Sequence, residues 1–276
     1  MTLKLPTLQI LEVNSLAVHE WHDEQRTPAL IERLRASGLL RNPPIVTPMQ
    51  DGSGHYMVLD GTNRTAAFRK MGLPHVITQV VEPDSPNLEL KTWNHVLWGL
   101  KPDELINGLT EIQDLHLQAS DENLATNWKK QAVTWIQTAN GESFTGNMQS
   151  HHLVSRVNMM NKIVDSYKNR SKMDRTQANT VGDLNGLYED LCGVVVFPPF
   201  EIADVLELCS QGIFMPAGTT RFTISPRALR VNYPLDDLAA EKSLKEKNRT
   251  LERWIQERVA RKGVRTYSEA TVLYDE

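Results

Sequence analysis

Short apolar runs alternate with helical spacings over residues 1–82. Runs rich in apolar and β-branched residues predict four strands, at 8–13, 43–46, 55–59 and 76–81. Apolar side chains three and four positions apart predict a helix over 28–37, which Gly38 can end in a left-handed conformation. A second helix over 63–71 stops at Gly72. The order strand, helix, strand, turn, strand, helix, strand is typical of a compact α/β unit.

The pattern changes after residue 82. A stretch rich in proline and aspartate begins at residue 83 and marks a boundary after the first domain, 1–82. Helical spacings follow at 103–108, 123–138, 152–167 and 201–211, together with a buried-strand candidate at 193–196. A turn-rich stretch at 215–221 precedes a short strand. We therefore expect an α/β (α+β) protein, in which a second, mainly helical α+β domain over 83–235 closes over a cleft.

The remaining segment, 236–276, begins with a highly charged helix candidate. Residues 236–262 hold 14 charged side chains, six acidic and eight basic. Four apolar side chains share one helical face: Leu244, Leu251, Ile255 and Val259. This pattern favours an amphipathic helix packed on its own domain, and a helix that forms a homodimer is the alternative. The mixture of acids and bases argues against a helix on a membrane surface.

Composition and charge narrow the classes of function. The chain has 276 residues and a formal net charge of -4, an ordinary composition for a soluble protein. No apolar run approaches the ~18 residues of a membrane helix, and the N-terminus does not resemble a signal peptide. Cys192 and Cys209 are too few for a disulfide scaffold or a four-cysteine zinc site. We therefore expect a cytoplasmic protein with reduced thiols and no membrane partner.

The distribution of charge argues against a duplex DNA partner. Residues 1–150 carry 12 basic and 17 acidic side chains, and residues 151–276 carry 18 and 17. A DNA-binding protein normally presents a surplus of basic side chains to the phosphates. Neither half of this chain has that surplus.

The most informative local motif is the segment 58–64, VLDGTNR, between a predicted strand and a predicted helix. Gly61 lets the backbone approach a ligand closely, and Thr62 and Asn63 can cap the helix whose N–H groups favour phosphate. Arg64 adds a forked cation for phosphate oxygens, and Asp60 could hold Mg²⁺ against them. An Asp-Gly turn followed by a surface arginine fits these residues equally well.

Longer segments resemble a known group of proteins. Residues 59–68, LDGTNRTAAF, resemble the phosphate-binding motif of the ParB/sulfiredoxin superfamily. Residues 16–20, LAVHE, resemble a segment of its free L-serine kinase branch, whose members phosphorylate the amino acid with ATP or ADP. Residues 197–200 and 212–221, with Pro226-Arg227, resemble the second domain of that branch. The likeness implies a ParB/sulfiredoxin-like N-terminal domain that binds nucleotide phosphates.

Departures from the motif choose among the branches of the superfamily. Sulfiredoxins need a catalytic cysteine where this chain has Thr62, so the chemistry of sulfinic-acid repair is excluded. Chromosome-partition ParB proteins continue with a helix-turn-helix region, and no basic recognition helix is evident after residue 82. The free L-serine kinase branch fits best.

The resemblance assigns catalytic roles to two acidic residues. A serine hydroxyl is a weak nucleophile, so a carboxylate that takes its proton is useful. Glu20 matches the position of this general base, although on its own it is one of several acids in its segment. The turn from Asp60 to Arg64, with Mg²⁺ on Asp60, would align and neutralise the phosphates of ATP or ADP.

The resemblance also implies residues that hold free serine. Trp93 could form a wall of the pocket and His95 could bond the substrate or a phosphate oxygen, whereas a core or hinge aromatic is the alternative for Trp93. Hydroxyl, amide and guanidinium groups suited to the substrate carboxylate follow a Pro-Ala-Gly turn, at Thr219, Thr220 and Arg221. A structural capped turn is the alternative for these three, and Arg227 is a weaker candidate of the same kind.

These inferences predict a kinase that transfers a phosphoryl group from ATP or ADP to L-serine. The alternative is a nucleotide-responsive DNA-binding or regulatory protein with a ParB-like domain and no kinase activity. The residues leave the donor open, do not exclude a close analogue of serine as acceptor, and do not indicate the pathway that uses the phosphoserine.

Overall fold

The protein is described by a computed structural model that covers residues 5–21, 26–120, 132–184 and 186–267. Its first part contains β1 (Thr7–Glu12), β2 (Leu16–Val18), α1 (Arg26–Ser37), β3 (Leu39–Leu40), β4 (Ile45–Pro48), β5 (Tyr56–Asp60), α2 (Thr62–Lys70) and β6 (His75–Val80). A five-stranded sheet has the order β1-β6-β4-β5-β2. Both predicted helices and all four predicted strands are confirmed to within a few residues. Strand β2, which has three residues and pairs in parallel with β5, was not predicted from the sequence.

The second part is built on a six-stranded antiparallel sheet. Its elements are β7 (Leu88–Thr92), β8 (Asn94–Trp98), α3 (Pro102–Thr110), β9 (His116–Ala119), β10 (Ala132–Thr138), β11 (Ser143–Asn147), α4 (Leu153–Tyr167), β12 (Lys172–Thr176), β13 (Leu191–Val196), α5 (Ile202–Ser210) and β14 (Thr220–Ile224). The sheet order is β12-β8-β13-β10-β11-β9. Strand β14 pairs with β7 in a separate ribbon. This ribbon leads the chain back toward the first sheet.

One predicted helix in the second part is wrong. The spacing predicted a helix over 123–138, but Ala132–Thr138 forms β10, and residues 123–131 lie outside the described part of the chain. All seven residues of β10 are buried, so the strand shows no alternation of polar and apolar residues that would distinguish it from a buried helix. The mixed α/β class is confirmed, but the second part is organised by a sheet and is not mainly helical.

The C-terminal helix packs on the first sheet. The chain continues from β14 through β15 (Tyr233–Pro234) and α6 (Leu235–Ala239) to α7 (Leu244–Ala260). Leu251 is buried in the same apolar cluster as residues of β1, β5 and β6, and Leu244 and Ile255 pack against that cluster. The helix therefore lies on the chain's own core, as the first interpretation predicted. The boundaries at 82 and 235 and the homodimer stay predictions.

A side chain of α7 completes the outer edge of the first sheet. The Oδ1 atom of Asn248 accepts a hydrogen bond from the Ile10 N–H at 2.9 Å, and its Nδ2 donates to the Ile10 carbonyl at 2.9 Å. Asn248 thus imitates one residue of a neighbouring strand on β1, which lies at the edge of the sheet. Among the described helices, none combines the length and apolar character required to cross a membrane.

Candidate active site

The bend between β5 and α2 requires glycine. Gly61 has φ 101° and precedes the first helical residue, Thr62. A Cβ atom at Gly61 would lie 3.0 Å from the Cα of Pro44, so a side chain there would force the neighbouring backbone to shift. The first turn of α2 follows directly, with its N–H groups and the positive end of the helix dipole. The local geometry is that of an anion-binding helix start.

Arg64 anchors this bend to the preceding loop. Its Nη1 donates to the carbonyl of Asn42 at 2.7 Å and to that of Pro43 at 3.1 Å. Its Nη2 lies 3.4 Å from Oδ2 of Asp60. The side chain is mostly buried, with 20% exposed. Arg64 therefore places its charge beside the bend while it holds the loop in position.

Asp60 connects two cations at the end of β5. Its carboxylate pairs with Arg64 and, through a close contact, with Arg227, which follows β14 in the chain. Burial raises the pKa of the Asp60 carboxyl, but the guanidinium groups of Arg64 and Arg227 outweigh this effect, so the pKa lies below its usual value. Asp60 is thus ionised at neutral pH. Arg227, which was a candidate substrate-binding residue, therefore lies beside the bend that is predicted to bind phosphate.

A buried glutamine holds the segment that carries Arg227. The Nε2 of Gln79 donates to the carbonyl of Pro226 at 2.9 Å, and its Oε1 accepts from the Ala228 N–H at 2.8 Å. Gln79 lies on β6 and is 2% exposed. Gln79 was not predicted from the sequence, because nothing local distinguishes this glutamine within an apolar strand.

Glu20 lies against the turn that precedes β14. Its backbone forms an isolated parallel bridge with Met215, and the Met215 N–H donates to the carbonyl of His19 at 2.7 Å. One carboxylate oxygen, Oε2, accepts from the Gly218 N–H at 3.1 Å and lies 3.5 Å from Oγ1 of Thr220. The structure therefore brings together the predicted base and the predicted substrate turn, about 200 positions apart in the chain.

His19 links this turn to the end of β5. The ring is 1% exposed; its Nδ1 lies 2.7 Å from the Val58 carbonyl and its Nε2 lies 2.8 Å from Oγ1 of Thr220. Burial lowers the pKa of His19, although the charge of Glu20 and the bond to Val58 oppose this. The bonds assign the proton to Nδ1, so Nε2 accepts from the Thr220 hydroxyl. His19 belongs to the segment 16–20 that resembles the free L-serine kinases, but no role was predicted for it from the sequence.

Trp93 and Arg221 stack beside the turn. The Cζ atom of Arg221 lies 4.4 Å from the centre of the Trp93 ring, a cation–π distance. The backbone N–H of Trp93 donates to the carbonyl of Thr219 at 2.9 Å. Thr219 is 2% exposed and its hydroxyl donates to the Pro216 carbonyl at 2.9 Å. These contacts of Thr219 fit the alternative prediction, in which the residue caps a turn. Of the three predicted consecutive residues, Thr220 and Arg221 are partly exposed.

His95 does not reach the surface of the site. Its ring is fully buried, with Nδ1 2.8 Å from the Tyr167 hydroxyl and Nε2 3.2 Å from the Gly218 carbonyl. Burial, with a smaller contribution from the charge of Arg175, lowers the pKa of His95 to about 4. The neutral ring donates from Nε2 to Gly218 and accepts from Tyr167. The predicted contact of His95 with substrate or phosphate is therefore corrected to a positioning role behind the turn.

The chain is similar to a named L-serine kinase along nearly its whole length. No protein-family model matches it. Over 274 residues the chain is 24% identical to ATP-dependent L-serine kinase SbnI of Staphylococcus aureus (strain NCTC 8325 / PS 47). The match covers 98% of this chain and 97% of that protein. The resemblance to the free L-serine kinases is confirmed. A shorter match to ATP-dependent L-serine kinase of Staphylothermus marinus is 33% identical over 90 residues, 33% of this chain and 35% of that protein.

Solved structures of this kind share the fold. A C-terminally truncated SbnI from Staphylococcus aureus superposes with a TM-score of 0.70 and 21% identity, over 92% of this chain and 96% of that one. A free serine kinase in complex with AMP gives a TM-score of 0.70 and 16% identity, over 86% and 98% of the two chains. The free L-serine kinase fold therefore extends over both sheets of the present chain.

Proposed function

We propose that the chain is a kinase that transfers the terminal phosphoryl group of ATP to free L-serine and forms O-phospho-L-serine. The observation that carries this proposal is the contact of Glu20, from the first part, with the turn before β14, from the second. The same residue is connected through Thr220 and His19 to the strand that ends at the Asp60–Gly61 bend. A proton acceptor and an anion-binding helix start thus belong to one connected site.

Glu20 is held in the way a general base requires. The Gly218 N–H orients one carboxylate oxygen, Oε2, whereas Oε1 makes no hydrogen bond with any of the described residues. That second oxygen takes the proton of the serine hydroxyl as the hydroxyl oxygen attacks the terminal phosphorus. The bond between this phosphorus and the bridging oxygen of ATP breaks, and ADP leaves with the electron pair.

The Asp60–Arg64 bend positions the phosphates and balances their charge. Gly61 permits close approach, the first N–H groups of α2 can donate to phosphate oxygens, and Arg227 is 40% exposed and can contact them. Phosphoryl transfer depends on this alignment and neutralisation more than on covalent participation of the protein.

Mg²⁺ fits this bend through one carboxylate. Among the described residues there is no group of three or more His, Cys, Asp or Glu side chains that could hold a metal ion. Magnesium in kinases is commonly bound by one or two carboxylates together with substrate phosphates and water. Asp60, which is ionised and 38% exposed, is the residue that would hold it, and the ion would add charge neutralisation at the phosphates.

Serine is placed by the turn and the adjoining ribbon. Thr220, Arg221 and Trp93 form the partly exposed boundary beside Glu20, and His95 supports the turn from the core. A pocket of this kind distinguishes serine from threonine or homoserine weakly, since one methylene contributes only ~1–3 kcal/mol.

ATP is the donor that the relatives favour. The curated relatives are named ATP-dependent, whereas a solved free serine kinase contains AMP and a mutant form of one contains ADP. Purified protein with Mg²⁺ and L-serine should form phosphoserine with ATP, measured by ³¹P NMR. Product with ADP alone would reverse the choice of donor.

The assay also separates the kinase from the regulatory alternative. Absence of phosphoserine with either nucleotide, together with salt-sensitive binding of duplex DNA, would favour a ParB-like regulator. No structural observation favours that alternative, because a DNA-binding protein needs neither the Glu20–Gly218 contact nor the stacked Trp93 and Arg221.

A further inference from the structure

Arg175 lies beside the proposed site but has no assigned role. It belongs to β12, the edge strand of the six-stranded sheet, and stands directly opposite His95 in the antiparallel pair with β8. Opposite residues of an antiparallel pair place their side chains on the same face. Arg175 therefore extends over the face from which His95 supports the Gly218 carbonyl.

The guanidinium group of Arg175 rests on the turn that orients Glu20. A Cβ atom at Gly218 would lie 2.7 Å from Nε of Arg175 and 3.4 Å from its Cζ. Gly218 also has φ +75°, so both its conformation and its contact with Arg175 favour glycine. The N–H of this residue donates to Glu20. Arg175 thus contacts the residue whose N–H orients the proposed proton acceptor.

Among the described residues, no carboxylate pairs with Arg175, whose side chain is exposed. The guanidinium group of Arg221 lies over the Trp93 ring and makes no ion pair in the same ranges. Arg64 and Arg227, in contrast, are both paired with Asp60. Two guanidinium groups that pair with no carboxylate in the described part of the chain therefore flank the Gly218–Thr220 turn.

Arg175 contacts the Gly218 turn, which is connected to the Asp60–Gly61 bend through several intervening residues. From the strand that ends at Asp60, contacts run through His19 to Thr220 and Glu20, and from Glu20 to Gly218. Arg175 follows Gly218 in this order. An anion bound by Arg175 would therefore lie beside the Gly218 turn, whereas the donor phosphates are proposed to lie at the Asp60–Gly61 bend.

We propose that Arg175 binds the α-carboxylate of the amino-acid acceptor. This assignment rests on the proposed kinase function and makes a free carboxylate the feature that defines the acceptor class. The guanidinium group offers two parallel N–H donors that match a carboxylate, which the ammonium group of lysine does not. Hydroxyl compounds without the carboxylate, such as amides of serine, are poor acceptors.

The test compares L-serine with L-serinamide, in which a neutral amide replaces the carboxylate. Arg175→Ala should raise the KM for L-serine by about 10- to 100-fold, the usual effect of a lost charge-assisted hydrogen bond. The KM for ATP and the turnover of L-serinamide should stay within about twofold of wild type. Arg175→Lys should restore only part of the affinity. Lys172→Ala, an exposed cation on the same strand, is the matched control and should behave as wild type.

Several outcomes would overturn the assignment. An equal loss with L-serine and L-serinamide would assign Arg175 to something other than the carboxylate, and a raised KM for ATP would assign it to the donor phosphates. Unchanged kinetics with L-serine would give it no part in binding.

The kinase proposal is tested separately by turnover in the wild-type protein. If wild type forms no phosphoserine, calorimetric titration with L-serine decides the point. Binding that Arg175→Ala abolishes would support the carboxylate site without the kinase. Absence of binding to wild type would overturn both proposals.

Discussion

At the scale of single residues, the proposed site depends on how the two oxygens of one carboxylate are used. Oε2 of Glu20 accepts from the Gly218 N–H at 3.1 Å, and the proposed mechanism assigns Oε1 to the substrate hydroxyl. The Gly218 carbonyl is fixed in turn by His95, whose ring is anchored by Tyr167. The proposed base is therefore oriented by groups to which the mechanism assigns no contact with the reacting atoms.

Glu20→Gln should remove the proton acceptor while it preserves the shape of the side chain. We expect kcat to fall by about 10²- to 10⁴-fold, the usual contribution of a positioned base, with little change in ATP affinity. Steady-state kinetics and calorimetric titration of ATP measure the two quantities. Glu32→Gln, at an exposed position of α1, is the control. Normal turnover of Glu20→Gln would remove Glu20 from the mechanism.

Gly61→Ala should affect both stability and nucleotide affinity. The added Cβ meets Pro44 at 3.0 Å in a backbone conformation with φ 101°, so we expect destabilisation on the order of 1–3 kcal/mol and weaker ATP binding. Gly72→Ala is matched, because Gly72 follows the same helix with φ +69° and has open space around it. Gly72→Ala should cost ~1 kcal/mol and leave ATP affinity unchanged. Equal ATP affinity in both variants would contradict a phosphate site at Gly61.

At the scale of secondary-structure elements, α7 packs on the sheet that carries the proposed phosphate-binding bend. Its Leu251 fills the core of the first part, and Asn248 makes both backbone hydrogen bonds that Ile10 would make with another strand. An edge strand covered in this way is protected from pairing with other chains.

Asn248→Ala should leave the N–H and carbonyl of Ile10 without these partners. We expect a loss of unfolding free energy on the order of 2 kcal/mol, because each unsatisfied backbone group costs about 1–3 kcal/mol when it stays buried. Urea denaturation measures the change. Lys245→Ala, on the exposed side of the same helix, is the control and should stay within ~0.5 kcal/mol of wild type. A similar stability of both variants would show that the Asn248 bonds add nothing.

The strands differ in how far their sequences could predict them. The runs at 8–13 and 76–81 pair with each other as β1 and β6, and both were recognised from their β-branched residues. Strand β10 was not recognised, because it pairs on both edges and is buried along its whole length. Its sequence therefore lacks the period of two that an exposed face imposes.

At the scale of the whole molecule, one buried histidine joins the two parts of the chain and a second holds the turn of the second part. His19 bonds Val58 in the first sheet and Thr220 at the start of β14, while His95 connects α4 to the Gly218 turn. Burial lowers the pKa of both rings. Protonation of either ring therefore opposes the folded arrangement of the site.

Stability should consequently decrease in acid. The pKa of His95 is about 4 in the folded protein and 6.5 without burial, so the unfolded chain binds more protons between these values. Its contribution is complete above pH 6.5 and is lost as pH falls toward 4, with a magnitude of up to ~3 kcal/mol. The difference in unfolding free energy between pH 7 and pH 4.5 should be smaller in His95→Gln than in wild type. His116→Gln, at an exposed position, is the control and should retain the wild-type difference. A difference in unfolding free energy for His95→Gln that equals the wild-type difference would contradict this prediction.

The sequence by itself determined the local features of this protein. The bend at Gly61, the helix that follows it and the ends of α1 and α2 depend on neighbours a few residues apart, so local spacing and glycine positions were sufficient to predict them. The resemblance of the three segments that hold Glu20, Asp60 and residues 219–221 to the free L-serine kinases also lies in the order of residues.

Only the tertiary structure decided which of these features meet and which face the ligand. Packing of the two sheets places Gly218 against Glu20 and Arg175, and it buries His95 and Thr219, which the sequence had suggested as ligands. Gln79 and Arg175 acquire their positions in the same way, through strand pairing and contacts with residues far away in the chain. Burial and strand register are set by the whole fold, so no pattern within a few residues could specify them.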